Sequence, residues 1–324
     1  MDREEFVLVR DMVRSLATRF GVTSADEVKP STQATAQQAL DELGLTDLRR
    51  TSPPAATAQE CALLAEEHGR HPLTTSLLGR VLLAPELLRL LGTDAPGTTP
   101  TIALTRELRF PGETLTDLAA WDCEGADSAL CVTDDGTVTR VELGPSAPST
   151  DLVRSVRTVP PDGPTEVVGH LTAPDQLRWQ AYALVVVTAE LVGAANSLVE
   201  QSAEYARVRH QYGRPIGSFQ AVQHKAADMH VAVERARALA YFAALTIAAD
   251  DPRRRLAAVM AKASAGECQS LVFRHGLQLF GAMGFTWEND LQFALKRAKV
   301  GELLLGGAAE HRAMITEEYR AAHL

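Results

Sequence analysis

Between Arg207 and Gln223 the chain reads Arg-Val-Arg-His-Gln-Tyr-Gly-Arg-Pro-Ile-Gly-Ser-Phe-Gln-Ala-Val-Gln. Arginines, glutamines and a tyrosine crowd around a tight Gly/Pro turn. A guanidinium presents a planar fork of donors that matches phosphate or carboxylate, and a primary amide both donates and accepts. Arg209, with Gln211, Tyr212, Gln220 and Gln223, is therefore suited to hold an anion joined to a polar ring system. A second stretch is Gln278-Leu-Phe-Gly-Ala-Met-Gly-Phe-Thr286, where Gln278 and the glycines Gly281 and Gly284, with Ala282 between them, let backbone approach a ligand closely. Arg209 alone has a simpler explanation, a cation at a helix C-terminus that favours the dipole. The polar side chains around it favour the ligand.

Other reactive side chains carry less. His68 and His71 are three apart, but no further His or Cys cluster completes a metal site. They are read as loop residues. Arg253, Arg254 and Arg255 follow Pro252 at a helix start and are read as an exposed turn. Cys61, Cys123, Cys131 and Cys268 lack CxxC spacing, which reads as reduced thiols in a cytoplasmic protein.

Helices must position these residues. Helical spacing of apolar residues spans Asp2–Phe20, Thr32–Leu43, Thr57–Glu67 (stopped by His68-Gly69) and Thr74–Leu91. The helical period vanishes from Pro96–Pro100 to about Pro174. Strand-like runs replace it at Thr101–Thr105, Ala129–Thr133, Thr137–Leu143, Val153–Val159 and Glu166–Leu171. Asp134-Asp135-Gly136 reads as a hairpin turn. Long helices follow from Asp175 to about Arg209, Phe219–Ala249 and Arg253–Phe280, then shorter ones over Asn289–Val300 and Ala308–Ala322. The expected division is a helical domain over residues 1–95, a small β domain over 96–174 and a bundle of four or five helices over 175–324. The fold class is mostly α with a small β domain.

A formal net charge of −9 argues against nonspecific nucleic-acid binding, which needs a basic footprint. The run Ala181–Val199 is apolar enough to suggest a membrane span, yet it holds Glu190 and Asn196. A carboxylate inside a lone span is costly, so a buried bundle helix is expected, with no membrane partner. The N-terminus shows no signal peptide pattern.

The order of elements and the wording at their joints resemble the acyl-CoA dehydrogenase family. Arg209-His-Gln-Tyr-Gly213 is similar to the family's Arg-x-x-Phe-Gly, with Tyr212 for Phe. The Gln278 stretch is similar to its Gln-x-x-Gly-Gly-x-Gly loop, with Ala282 for one glycine. Arg297-Ala-Lys299 and Ala65-Glu-Glu-His-Gly-Arg70 continue the match over nearly the whole chain. The resemblance implies a flavin, FAD, shared across a subunit interface. Arg209 would meet the pyrophosphate, and the Gln278 loop the adenosine end. It also implies α,β-dehydrogenation of an acyl-CoA, with a glutamate removing the α-proton.

The two family positions for that glutamate read Ala183, about seven helical turns before Arg209, and Leu305 in Leu303-Leu-Leu-Gly-Gly307. The Thr/Ser-rich flavin-ring segment is also missing. Ala126–Val132 and Ser149–Arg154 resemble instead the shortened middle domain of small actinobacterial subunits, which pair with a larger catalytic subunit in heterotetramers. Some of those complexes oxidise steroid side-chain CoA esters. The expectation is an FAD-supporting, non-catalytic subunit whose partner holds most of the acyl-CoA. One alternative is a self-sufficient homomeric enzyme with a displaced base, for which Glu190, Glu302 and Glu310 are candidates. Each is also explained as a solvated or ion-paired carboxylate. The other alternative is a non-enzymatic scaffold or binding protein of the same fold.

Overall fold

The computed structural model describes residues 3–93, 98–285 and 291–323. Three helices come first: α1 (Arg3–Phe20), α2 (Pro30–Asp41) and α3 (Ala58–Gly69). A π-helical stretch, Leu77–Leu83, then runs directly into α4 (Ala84–Leu90). The expected boundary at residues 95 and 96 lies outside the described residues.

Two sequence readings of this region are corrected. His68-Gly69 does not stop α3 but forms its last turn, and His68 is fully buried rather than a loop residue. Gly69 is there for helix packing. A Cβ at Gly69 would lie 2.0 Å from the Glu190 carbonyl oxygen, and one at Gly193 would lie 2.0 Å from that of Glu66. The paired glycines let α3 cross a long later helix in backbone contact. The second correction concerns Thr74–Leu91, which is not one continuous α-helix. Asp122 accepts a hydrogen bond from the Gly79 backbone N–H at 2.7 Å. A side chain inserted into the ladder widens a helix locally.

Six strands form one sheet: β1 (Thr101–Thr105), β2 (Leu118–Trp121), β3 (Ser128–Val132), β4 (Thr137–Glu142), β5 (Val156–Thr158) and β6 (Thr165–His170). Their order is β5-β2-β1-β3-β4-β6. Among the described residues of this sheet, β1 and β3 pair in parallel and the other neighbours antiparallel. Asp134-Asp135-Gly136 closes the β3–β4 hairpin, with Val132 opposite Val138. The Asp135 carboxylate accepts from the Thr133 hydroxyl and from both Thr137 donors, which hold its pKa down at about 2. β2 has no counterpart among the expected strands.

The remainder is helical: α5 (Ala173–Val208), a two-residue hairpin of β7 (His210–Gln211) and β8 (Arg214–Pro215), α6 (Gln220–Ala248), α7 (Arg254–Phe280), α8 (Leu291–Leu303) and α9 (Ala308–His323). The expected start of α8 at Asn289 lies outside the described residues. By length and composition α5 could cross a membrane, but 89% of its most apolar window is buried by neighbouring helices. It is the central helix of the core. All four cysteines are buried free thiols.

The α3–α5 crossing gives a first prediction. Gly69→Ala forces a methyl into the Glu190 carbonyl and should destabilise the fold by about 1–3 kcal/mol or more, as overpacking does. Urea unfolding of the variant beside wild type measures it; equal midpoints would refute the close crossing.

Candidate functional site

The corner after α5 is built by a short hairpin. Tyr212 and Gly213 have φ of 53° and 76°. Positive φ at both central residues defines a type I′ turn, whose twist matches paired strands. The Ile216 N–H donates to the Arg209 carbonyl at 2.8 Å and closes the corner. The Gln223 amide donates to the Gly217 carbonyl at 2.9 Å, and that of Gln211 to its neighbour His210. Arg214 lies over the Phe219 ring at 4.2 Å. Tyr212 approaches Phe219 edge-on, with centroids 6.1 Å apart. It is 92% exposed.

Arg209 and Gln220 are exposed, and among the described residues no hydrogen bond or ion pair engages either side chain. Gln278, in the last turn of α7, is also exposed and unengaged. Gly281 ends α7 at φ 59° and ψ −137°, a conformation that needs glycine. Ala282 follows on the surface, and Thr286 lies outside the described residues. The Tyr205 ring, one turn before Arg209, stacks on Phe280 at 4.4 Å. Leu279 and Phe280 share one apolar cluster with Tyr205 and Val222. The Arg209 corner and the Gln278 loop therefore meet at one end of the bundle. Their free donors and amides face outward, a chemistry that suits an anionic, polar ligand.

The two candidate base positions look inward. Ala183 is fully buried and Leu305 is 7% exposed, and both belong to one apolar core cluster. The turn that carries Leu305 is clamped from several sides. Leu305 has φ 55°, and its N–H donates to the Leu108 carbonyl at 2.8 Å. His311 Nε2 donates to the Leu305 carbonyl at 2.8 Å. Lys262 donates from Nζ to the Gly306 carbonyl at 2.9 Å and to that of Gly301 at 3.3 Å. Burial, then nearby Arg109, push Lys262 down to about 7. Burial and Lys262 push His311 down to about 4.

The three carboxylates weighed as displaced bases are all engaged. Glu302 pairs with Lys299 at 3.1 Å and Glu310 with Arg109 at 2.5 Å. Glu190 is 1% exposed inside α5. His68 Nδ1 donates to its Oε1 at 2.8 Å and Arg154 Nη2 to its Oε2 at 2.5 Å. Burial pushes its pKa up, but Arg154 and His68 outweigh this and hold it well below the usual range. Arg154 also donates to Asp122, and Thr75 Oγ1 lies 2.9 Å from His68 Nε2. This network was missed from sequence. The available signal was Glu190 inside an apolar run, since a buried charge needs a partner.

An apolar cleft of about 500 Å³ lies between the sheet and α8. Leu104, Leu108, Leu118, Trp121, Val156 and Val300 line it.

Residues 182–319 match the family model for the acyl-CoA dehydrogenase C-terminal domain. Acyl-CoA dehydrogenase IpdE2 of Mycolicibacterium smegmatis is 31% identical over 257 residues, covering 78% of this chain and 76% of that protein. Acyl-CoA dehydrogenase IpdE2 of Mycobacterium tuberculosis is 38% identical over 128 residues, 40% of this chain and 38% of that one. Among solved structures, the ChsE4-ChsE5 complex from Mycobacterium tuberculosis contains a chain with TM-score 0.79 and 20% identity, covering 99% of this chain and 98% of that one. A variant of the Tcur3481-Tcur3483 steroid ACAD matches equally, with TM-score 0.79, 20% identity and 99% of both chains covered. At that identity the two structures speak for the fold.

Two measurements probe the buried charges. Glu190→Gln leaves Arg154 short of one anion and should cost about 3–5 kcal/mol in denaturant unfolding; a loss near zero would mean that the network is not an ion pair in solution. For Lys262, the unfolded chain keeps a proton between about pH 7 and 10.5 that the folded chain has released, so stability should rise with pH across that window. Lys262→Met should lack this rise. Parallel stability–pH curves for the two proteins would exclude a lowered pKa.

Proposed function

The chain belongs to the acyl-CoA dehydrogenase family, and from that premise we propose that it is a non-catalytic, FAD-supporting subunit of a heteromeric acyl-CoA dehydrogenase. The observation that carries this reading is a split between the two halves of a site. The Arg209–Gln278 face keeps free donors that fit a flavin's polar end, while Ala183 and Leu305 fill the base positions with carbon.

Members of this family bind FAD, which when bound accepts hydride from the β-carbon of the acyl group. In the proposed complex Arg209 donates to the pyrophosphate, as a guanidinium does well. Gln211, Tyr212, Gln220, Gln278, Gly281 and Ala282 line its polar parts. Gln223 holds the Gly217 carbonyl and so positions the corner. The flavin is shared across the interface with a larger subunit, which contributes the glutamate, the ring-binding segment and most of the acyl-CoA contacts. Two copies of each chain would make a heterotetramer. The substrate class proposed is a CoA thioester with a steroid-type acyl group, on the strength of a fold neighbour described as a steroid ACAD.

A displaced base within this chain is disfavoured by geometry. Glu302, Glu310 and Glu190 each hold a cation at 3.1 Å or less, which makes each a poorer base for a substrate proton.

Co-expression with the larger partner tests the proposal. The complex should be yellow and should dehydrogenate an acyl-CoA, whereas this chain alone should bind no stoichiometric flavin. Arg209→Ala should weaken flavin retention roughly 10- to 100-fold, the worth of a charge-assisted hydrogen bond. Flavin absorbance per chain after gel filtration reads both. Stoichiometric FAD and turnover in the chain alone would overturn the reading.

A further inference from the structure

The α6 helix is apolar on two opposite faces. One packs inward: Met229, Val233, Ala236, Ala240, Ala243 and Ile247 are buried. The other faces outward. Ala227, Val231, Ala238, Phe242, Leu245 and Ala249 are exposed, with Val231 at 66%, Leu245 at 50% and Phe242 at 44%. Steps of three, four and seven residues put them on one stripe of the helix. A helix that is apolar all round is ordinarily covered all round. Beside the stripe, α7 exposes Met260. A groove of about 400 Å³ runs between the two helices, and its lining includes Val231, Ala232, Arg235 and Leu271.

The order of side chains along the stripe reads the same from either end. Ala238 sits at its centre. Val231 and Leu245 each lie seven residues away, and Ala227 and Ala249 each eleven. Such a surface complements itself about a twofold axis, where residue i meets j and j meets i. The size also fits. From Ala227 to Ala249 the stripe is about 33 Å long. With α7 about 9 Å away, the face is roughly 20 Å wide. Two copies would bury about 1,300 Å² in total, inside the range of stable interfaces.

We propose that this face pairs two copies of the chain, with α6 antiparallel to α6 across a twofold axis at Ala238. Leu245 of each copy then packs on Val231 of the other, and Ala249 on Ala227. The small Ala238 lets the two helices approach closely at the axis. Phe242 and Arg235, seven residues apart, share the α7 side of the stripe, where Arg235 donates to Ser264 at 3.1 Å and to Glu267 at 2.8 Å. The pairing sets each Phe242 ring over the groove of the other copy and against its Arg235 guanidinium, a favourable cation–π contact. In the heteromeric complex proposed above, this contact joins the two small subunits, and it rests on that reading only for this placement.

Sedimentation of the full chain alone, at micromolar concentration, tests the pairing. Wild type should run as a dimer. Ala238→Glu sets two carboxylates together on the axis and should weaken the dimer about 100-fold or more. Its helical circular dichroism should not change, because position 238 is exposed. Leu245→Glu should act the same way. Ala238→Cys reads the register: mild oxidation should link two chains, all four native thiols being buried. A monomeric wild-type chain, a dimer that both glutamate variants leave intact, or a dimer of Ala238→Cys that does not crosslink would overturn the proposal. In the complex with the larger subunit, Ala238→Glu should halve the mass and leave flavin per chain unchanged. If it releases the larger subunit instead, that subunit covers the face and the proposal falls. A dimeric chain whose complex carries no flavin would refute the cofactor reading and support this one.

Discussion

The Glu190 carboxylate is buried in the middle of the central helix, and the rest of the structure is arranged around its neutralisation. Its two oxygens go to different parts of the chain. One meets His68 at the end of α3, and the other meets Arg154 in the loop before β5. Arg154 in turn holds Asp122 after β2, and Asp122 uses its second oxygen on the Gly79 backbone. First helices, sheet and bundle are thereby joined through one charged knot. Desolvation makes such a knot a weak source of net stability, since well-packed apolar side chains often do as well. What it supplies is register. A shift of the sheet against α5 would strand a charge in a medium where an unpaired ion cannot persist.

That register has consequences at a distance. With Asp122 fixed, the Leu77–Leu83 stretch must give up α-helical spacing to offer its N–H group. With His68 fixed, α3 must cross α5 at the Gly69–Gly193 contact, where no side chain fits. The sheet then sits against α8 and forms the apolar cleft, and the Leu108 carbonyl is delivered to the Leu305 N–H. The Leu305 turn is thus defined from outside itself by Leu108, Lys262 and His311. Leu305 has a positive φ, and such backbone strain persists only where the surroundings over-determine it.

The sequence was most legible where structure is local. Helix bounds, five strands and the Asp134–Gly136 turn follow from periodicity and turn chemistry within a few residues. Residues that depend on distant partners were misread. His68 looked like a loop residue because Glu190, which explains it, is 122 positions away. The π-helical stretch was invisible because its cause, Asp122, lies 43 positions downstream of Gly79. β2 has only four residues, two of them alanine, a poor strand former. It pairs because β1 and β5 flank it. At the Arg209 corner the motif was legible as a list of residues. That Tyr205 and Phe280 bring the Gln278 loop to the same end of the bundle was not.

The corner differs from the Leu305 turn in how it is supported. Leu305, also at positive φ, is buried and pinned from several sides. Tyr212 is at positive φ with its ring 92% exposed. A left-handed conformation costs an ordinary residue roughly 1–2 kcal/mol. Beside it lie the Arg209 guanidinium and the Gln220 amide, with no partner among the described residues, and Val208, 62% exposed. Strained backbone, unspent donors and exposed apolar side chains at one corner have a common physical remedy, a surface that arrives from outside. A ligand alone would satisfy the donors but leave Tyr212 and Val208 in water. A second subunit that brings the ligand would cover both, as the proposed shared cofactor site requires.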